Sequence, residues 1–201
     1  HTFRTPPAPG DAAFTLFAVG DIGASSTSPP VSRIQDLIAA GAPDLVLPVG
    51  DLTYGDVECL IDVDQHFNDV MIWSQDAAYM PAWGNHEWDD PPNEDMRNYK
   101  GRFDLPNPQS SPDPPMPGGT GEDWSWFDYG NVRFIAYPEP YSSATWAAWN
   151  TQASTLMSQA QADPLIRWIV TFGHRPAYSS GHHPGEAAIK MFIALFGSIL
   201  R

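Results

Sequence analysis

Basic residues, cysteines and long apolar runs are all scarce in this 201-residue chain. Ten Lys and Arg side chains stand against 24 Asp and Glu, which gives a formal net charge of −14. With no basic run or stripe, general affinity for nucleic acid or for an anionic membrane surface is not expected. Cys59 is the only cysteine, which excludes a disulfide within this chain. No apolar run approaches the length of about 20 residues that a transmembrane helix needs.

The composition is otherwise that of a folded domain. Hydrophobic residues make up 42% of the chain and charged residues 17%, so the chain can bury a core and is not expected to be disordered. We expect one domain over residues 14–201, preceded by a polar, proline-rich arm over residues 1–13. Many of the 21 prolines fall within residues 105–117, a pattern of long ordered loops that secreted bacterial enzymes tolerate. This feature favours a secreted or periplasmic location.

Strand and helix patterns alternate along the chain, which predicts an α/β fold whose sheets are covered by helices. Apolar runs predict strands over residues 14–19, 45–49, 79–83 and 167–172, and a hairpin over residues 124–137 with Gly130-Asn131 at its turn. Helical patterns cover residues 31–40, 64–75, 144–162 and 186–200. The first, second and last of the four single strands are expected to be buried. In the first helix Ile34, Leu37 and Ile38 share one face, and Gly41 is expected to cap its C-terminus.

Polar side chains follow four of the predicted strands, at the point where each strand ends. They are Asp21, Asp51, the pair Asn85-His86, and His174. Because ligands of open α/β sheets bind beyond the carboxyl ends of the strands, neighbouring strands would bring these side chains together. The glycine before each cluster allows a sharp turn and a close backbone approach. A mixed set of oxygen and imidazole ligands suits a first-row transition metal better than calcium or magnesium.

Each of these short motifs also has an ordinary structural interpretation. A single Gly-Asp after a strand is more often a turn or a helix cap, and Asn-His-Glu by itself is compatible with a capped helix start. Four such clusters, each at a strand end, are difficult to explain in this way. Their joint placement favours a metal site.

The segments that carry these residues resemble the calcineurin-like metallophosphoesterases. In order they are Gly20-Asp21-Ile22-Gly23, Gly50-Asp51-Leu52-Thr53-Tyr54, Gly84-Asn85-His86-Glu87 and His174-Arg175-Pro176, together with the hairpin over residues 128–135. Within that superfamily the chain is similar to the purple acid phosphatases. Most members place a metal-binding His two residues after the first Asp, where this chain has Gly23. The purple acid phosphatases instead supply a Tyr three residues after the second Asp, and Tyr54 lies there.

The resemblance implies two metal ions and assigns their ligands. Asp21, Asp51 and Tyr54 would hold the first ion, and Asp51 would bridge to the second, which Asn85 and His174 would also bind. A phenolate ligand favours Fe(III) in the first site, with a charge-transfer colour, and the second site would hold Fe(II), Zn(II) or Mn(II). Tyr54 also has a plainer interpretation, as a packing residue at the start of a loop.

The implied reaction is hydrolysis of a phosphate monoester by a hydroxide that the two metals activate. His86, His182 and His183 would contact the phosphate and protonate the leaving oxygen. The pair His182-His183 is also compatible with a solvated loop that has no catalytic role. The expected partner is therefore a small phosphorylated substrate. The two cations would reverse the local field of an acidic protein that otherwise repels phosphate.

The chain ends before one motif that the family carries. Family members have a Gly-His-x-His motif on a strand after the final helix, and each of its histidines binds one metal. This chain ends at Arg201, so we expect a fold without its C-terminal strands and favour a fragment of a longer protein. Two alternatives stay open: a phosphodiesterase or nucleotide hydrolase that uses the same metals, and a truncated remnant that performs no catalysis.

Overall fold

The computed structural model describes residues 5–11, 13–26, 28–55, 60–87, 96–112, 121–139 and 142–176. In the order of the chain its elements are β1 (Leu16–Val19), α1 (Pro30–Ala40), β2 (Leu45–Pro48), α2 (Leu60–Ser74), β3 (Ala78–Tyr79), α3 (Arg97–Lys100), β4 (Trp126–Tyr129), β5 (Val132–Ala136), α4 (Ser143–Ala162) and β6 (Trp168–Phe172). A single 3₁₀ turn, Asn85–Glu87, precedes α3. The predicted α/β class is confirmed. The predicted helix over residues 186–200 lies outside the described residues.

The first sheet is parallel, with strand order β1-β2-β3. Its central strand β2 is buried along its whole length, as expected. Leu45 and Leu47 belong to the core between the sheets, whereas Val46 packs with Ile38 of α1 and Trp73 of α2. This alternation follows from the two-residue period of a strand, and it places α1 and α2 on the outer face of the sheet.

The second sheet has the order β4-β5-β6 and carries α4 on one side. β4 and β5 form the predicted hairpin, and β6 pairs with β5 in parallel, from Val132 opposite Trp168 to Ala136 opposite Phe172. Ser142 caps the N-terminus of α4, and its hydroxyl accepts a hydrogen bond from the Thr145 backbone N–H at 3.0 Å. The molecule is thus a sandwich of two sheets with helices on its outer faces.

The face that α1 buries differs from the predicted one. Val31, Gln35 and Ile38 are the buried residues of the helix, whereas Leu37 is 63% exposed and Ile34 39% exposed. Gln35 is drawn inward because its Oε1 accepts a hydrogen bond from the indole N–H of Trp73 at 2.7 Å. A polar residue with a buried partner therefore replaces two of the apolar residues that the sequence pattern placed inside.

Two strands that we predicted to be buried are outer strands of the described sheets. β1 lies at one end of the first sheet, with Leu16 38% exposed, and β6 lies at one end of the second, with Trp168 67% exposed. Their apolar sequences indicated burial, but an outer strand is covered on one edge only, so the prediction was wrong for both. Gly41 caps the C-terminus of α1, as predicted, with a right-handed φ of −77°.

The start of the described chain packs on the β4–β5 hairpin. The backbone N–H of Gly10 donates to the carbonyl oxygen of Gly130 at 3.0 Å, and the rings of Phe14 and Tyr129 meet edge to face at 5.0 Å. Part of the segment that precedes β1 is therefore attached to the domain at the end of the second sheet where β4 and β5 are joined.

Candidate metal centre

The carboxyl ends of β1, β2, β3 and β6 meet at one edge of the sandwich. The segments that follow β1 and β2 stay paired, because the N–H groups of Asp21, Ile22 and Gly23 donate to carbonyl oxygens of residues 50–52 at 2.9–3.1 Å. A bridge between Val49 and Ala82 extends the same pairing toward the 3₁₀ turn. The Gly-Asp and Asn-His-Glu segments are therefore held side by side by backbone hydrogen bonds.

Three predicted ligands lie close enough to share one cation. Asp21, Asp51 and His174 each offer one ligand atom, and these atoms all lie within 4.8 Å of one another. His174 Nε2 is 3.2 Å from Asp51 Oδ2, and its Nδ1 is 3.2 Å from the carbonyl oxygen of Val49. Donation from Nδ1–H to that carbonyl leaves Nε2 as the nitrogen that faces the carboxylates, which is the arrangement a ligating imidazole needs.

Tyr54 lies at the same cluster. Its hydroxyl donates to Asp21 Oδ1 at 3.0 Å and is 3.4 Å from Asp51 Oδ2. Two carboxylates, an imidazole and a phenol are donors that suit a transition-metal ion, and the donor set fits the group that the sequence predicted. Asp21 is exposed whereas Asp51 is 4% exposed, so the cluster opens to solvent on the side of Asp21.

All three predicted ligands of the first ion have a left-handed backbone. The φ angles of Asp21, Asp51 and Tyr54 are 54°, 52° and 56°. Residues other than glycine seldom adopt this conformation, and each such residue costs about 1–3 kcal/mol. The surrounding hydrogen bonds must therefore hold this conformation, which turns the three side chains toward a common point.

Two glycines make the close approach possible. A Cβ on Gly50 would lie 2.6 Å from the Cβ of His174, and Gly50 itself has a φ of 91°. A Cβ on Gly84 would overlap the Asp51 carboxylate and backbone nitrogen. The role that the sequence suggested for these glycines, close packing of the strand ends, is the one they have.

The charges of the cluster are strongly coupled. Burial acts to raise the pKa of Asp51, but the hydrogen bond and charge of His174 outweigh it and hold that pKa below its usual range. Burial lowers the pKa of His174, while the hydrogen bond to Asp51 raises it, and the result is a pKa of about 9. Burial and the carboxylates of Asp51 and Asp21 raise the pKa of the Tyr54 phenol. A phenolate there needs a cation of high charge beside it.

Glu87 organises the backbone beneath the cluster, although it was not among the predicted site residues. It is fully buried, and its carboxylate accepts hydrogen bonds from the N–H groups of Gly84, Asp51 and Leu52 at 2.7, 2.9 and 2.8 Å. Burial, together with the charge of Asp51, raises the pKa of Glu87 to about 7. The spacing of Gly84 and Glu87 is that of a capping box, in which an acidic residue reaches back three positions, so a sequence signal existed.

Asn85 and His86, the other predicted site residues that the structure describes, lie on the 3₁₀ turn beside the cluster. His86 packs against the ring of Tyr54 with centroids 4.6 Å apart, and its backbone N–H donates to Asp51 Oδ1 at 3.1 Å. The side-chain oxygen of Asn85 accepts from Arg175 Nη2 at 3.4 Å. His182 and His183 lie outside the described residues. The structure therefore gathers Asp21, Asp51, Tyr54, His86 and His174 at one cluster, with Asn85 beside His86 on the 3₁₀ turn.

A domain with two sheets, outer helices and a carboxylate–imidazole cluster at the strand ends has the architecture of a metal-dependent phosphoesterase. The family model of calcineurin-like phosphoesterases matches residues 14–199, and the chain belongs to this family. Among solved structures, the chain is similar to a purple acid phosphatase from yellow lupin (Lupinus luteus) seeds, with a TM-score of 0.68, 20% identity, and coverage of 98% of this chain and 38% of that one. A dimetal phosphatase from Danio rerio has a TM-score of 0.55 at 13% identity, covering 94% of this chain and 78% of that one.

Curated relatives support the same placement. Acid phosphatase type 7 of Danio rerio is 25% identical in an alignment of 181 residues that covers 83% of this chain, and the human protein of that name is 28% identical in an alignment of 173 residues that covers 82% of this chain. The chain spans 36% of the length of each of these relatives. The predicted family and its similarity to purple acid phosphatases are confirmed. Among the described helices, none is long and apolar enough to cross a bilayer.

Proposed function

We propose that the protein is a two-metal phosphoesterase that hydrolyses phosphate monoesters, in the manner of a purple acid phosphatase. The observation that carries this proposal is the approach of Asp21, Asp51 and His174 to within 4.8 Å of one another, at the strand ends of a calcineurin-like fold. The proposal extends to a catalytic domain over residues 14–201 with an arm over residues 1–13, and to a secreted or periplasmic location.

The proposed ligand assignment is the one that the resemblance to purple acid phosphatases implies, with Asp21 and His174 on different ions and Asp51 shared between them. Asp21, Asp51 and Tyr54 hold the first ion, for which Fe(III) is proposed because a phenol beside two carboxylates loses its proton only to a highly charged cation. Asp51 is shared with a second site that Asn85 and His174 complete, and Fe(II), Zn(II) or Mn(II) is proposed there. Bound metal ions supply Lewis acidity for the phosphoryl oxygens and lower the pKa of water.

The protein side chains at the edge of the cluster have a separate proposed task. His86 lies on the ring of Tyr54, with its side chain 28% exposed and its Nε2 3.9 Å from Asp51 Oδ2. An imidazole in this position faces both the carboxylate cluster and solvent, so it can bind a phosphate oxygen and donate a proton to the leaving group. His182 and His183 are proposed to assist it.

The test combines metal analysis with turnover on the purified 201-residue chain. Elemental analysis after expression in iron- and zinc-supplemented medium should give about two metal ions per chain, including iron, with a visible charge-transfer band. The same preparation should hydrolyse p-nitrophenyl phosphate faster than bis-p-nitrophenyl phosphate. A preference for the diester would move the proposal to phosphodiesterases that use the same site.

The opposite result is equally informative. A folded, colourless chain that binds no metal and leaves both substrates intact would overturn the proposal for this chain and favour a remnant without catalysis. Circular dichroism of the same sample separates that outcome from misfolding, since the strands and helices described above must be present for the metal result to count.

A further inference from the structure

Two adjacent loops lie beside the proposed second metal site, and one supports the other. Because β5 and β6 are parallel neighbours ending at Ala136 and Phe172, the residues that follow them run side by side. The hydroxyl of Tyr137 lies 3.0 Å from the carbonyl oxygen of Gly173 and 2.9 Å from that of Arg175. A Cβ on Gly173 would overlap the Tyr137 ring. The turn that bears His174 therefore rests on the segment after β5.

Glu139 belongs to the same supporting segment and is committed to one partner. Its side chain is 2% exposed, and its Oε1 accepts from Arg175 Nε. Its Oε2 has no hydrogen-bond partner among the described residues. A buried carboxylate is stable only where it is paired, so Arg175 is the group that makes the burial of Glu139 tolerable.

Arg175 connects this carboxylate to a predicted metal ligand. While its Nε faces Glu139, its Nη2 lies 3.4 Å from Asn85 Oδ1. A guanidinium can only donate hydrogen bonds, and a metal ion can bind an amide only through its oxygen. Arg175 therefore selects the amide orientation whose oxygen faces the turn that bears His174, and it rejects the flipped orientation, in which two sets of donors would meet.

We propose that Glu139 and Arg175 are positioning residues that orient the Asn85 oxygen and so set the occupancy of the second metal site. This inference rests on the proposed function, because it needs two bound metal ions. The sequence motifs predict a role for neither residue: Arg175 stands in the segment His174-Arg175-Pro176 without an assigned function, and Glu139 lies in no motif.

The charge balance of the pair explains why a carboxylate is needed behind the arginine. An unpaired guanidinium beside Asn85 would repel a divalent cation at the same oxygen. Glu139 neutralises that charge while leaving the donors of Arg175 in place. The pair can therefore orient the ligand without adding net positive charge next to the metal.

The principal test is zinc titration of Glu139→Gln against a competing chelator, with stoichiometry from elemental analysis. Glutamine keeps the size of the side chain and removes its charge. The unaltered chain should bind two zinc ions. In the variant the first should bind with unchanged affinity and the second about 10–100-fold more weakly, the range found when residues that orient metal ligands are changed.

Two further variants separate positioning from stability. In Arg175→Lys the charge remains but the planar fork that reaches both Glu139 and Asn85 is lost, so the second zinc should again be selectively weakened. Asp128→Asn is the control. It breaks a two-point ion pair with Arg133, at 2.7 and 2.8 Å. This pair lies near the start of β5, at the opposite end of that strand from the segment that bears Glu139. Asp128→Asn should lower the melting temperature and leave both zinc affinities unchanged.

Each outcome decides the matter. Selective loss of the second zinc in Glu139→Gln and Arg175→Lys, but not in Asp128→Asn, supports the proposal. Unchanged second-zinc affinity in both site variants overturns it, as does an equal loss in Asp128→Asn. If Glu139→Gln does not fold, Arg175→Lys alone decides by the same criterion. An unaltered chain that binds fewer than two metal ions, both with zinc alone and with iron followed by zinc, overturns the proposed function itself, and the inference with it.

Discussion

The strand-end cluster consists of polar and charged side chains, whereas the core beneath α4 consists of apolar and aromatic ones. At the strand ends, Asp21, Asp51 and Tyr54 have left-handed backbones. Glu87 is a buried carboxylate whose described hydrogen bonds all come from backbone N–H groups. Beneath α4 the side chains are apolar and aromatic. Trp146 and Trp149 are 1% and 0% exposed and their rings meet edge to face at 5.3 Å. One region accumulates strain and like charge, and the other supplies stability.

This difference shows how the fold divides its tasks. Buried acidic groups and unusual φ angles are unfavourable unless the surrounding structure imposes them. The aromatic core can hold these groups in place because β5, the central strand of the second sheet, is fully buried. This strand leads directly to the segment that supports the turn bearing His174. Changes at the strand ends should therefore alter metal binding more than stability, and changes in the core should do the reverse.

The largest effect is expected from Asp51→Asn. The shared carboxylate is proposed to serve both ions, so metal content and phosphatase activity should fall together, activity by more than about 100-fold. The fold should persist, because asparagine keeps an oxygen that can accept from the His86 N–H. Elemental analysis, turnover and circular dichroism check this prediction. Full turnover in the variant would remove Asp51 from the proposed site.

The core counterpart is Trp149→Ala. This change empties a fully buried site and removes the indole hydrogen bond to the Ala136 carbonyl at 2.8 Å, so the free energy of unfolding should fall by about 3–5 kcal/mol. Chemical denaturation measures it. Trp168→Ala, at a side chain that is 67% exposed, should change stability far less. If Trp149→Ala folds with unchanged stability but loses its metal, the expectation that core changes affect stability more than metal binding is wrong.

A third prediction concerns acid stability and His66. This residue is 0% exposed, with Nδ1 2.9 Å from the Gly23 carbonyl oxygen and Nε2 2.9 Å from the Tyr79 hydroxyl. Burial lowers the pKa of His66 from 6.5 to about 4, against smaller opposing effects of the Gly23 hydrogen bond and the Asp69 charge. The unfolded chain binds the proton first, so stability is present above pH 6.5 and is lost as the pH falls toward 4.

The matched variant is His66→Gln, whose amide can donate to Gly23 and accept from Tyr79 without titrating. Between pH 7.5 and pH 4 the stability of the unaltered protein should fall relative to that of the variant by about 3 kcal/mol. Urea unfolding at several pH values measures the difference. A constant difference across this range would show that His66 titrates normally.

The smallest effect on stability is expected from Tyr54→Phe. The ring contact with His86 persists and one partly exposed hydroxyl is lost, so the free energy of unfolding should change by about 1 kcal/mol or less. The iron-loaded protein should nevertheless lose its visible band. Tyr99→Phe is the control, because that buried hydroxyl contacts Thr53 at 2.6 Å, and its spectrum should be unaltered. An unchanged spectrum in Tyr54→Phe would remove this residue from the ligand set.

Much of the site could be predicted because its residues follow strands directly. Asp21, Asp51 and His174 stand at the ends of strands whose apolar runs are visible in the sequence, and the parallel pairing of β1 with β2 brings the first two to one edge. His174 follows β6 of the other sheet, so only the packing of the two sheets brings it to them. Glu139 could not be predicted in this way. It is 36 residues from Arg175 along the chain, and only the pairing of β5 with β6 brings the two together.

Burial was less predictable than strand and helix positions. The apolar runs of β1 and β6 indicate strands correctly, but burial depends on how many neighbours a strand has. The inward turn of Gln35 similarly depends on Trp73, which belongs to another helix. Local sequence encodes the periodicity of an element, and it does not encode what packs against each of its faces.

By itself, the sequence determined the α/β class, the hairpin, the order of the strand-end motifs and the similarity to calcineurin-like phosphoesterases, since all of these depend on local patterns. Only the tertiary structure decided which side chains meet: the hydroxyl of Tyr54 beside two carboxylates, Glu87 beneath Asp51, and Glu139 behind Arg175. The physical reason is that buried charges and strained residues are stable only where distant segments supply their partners.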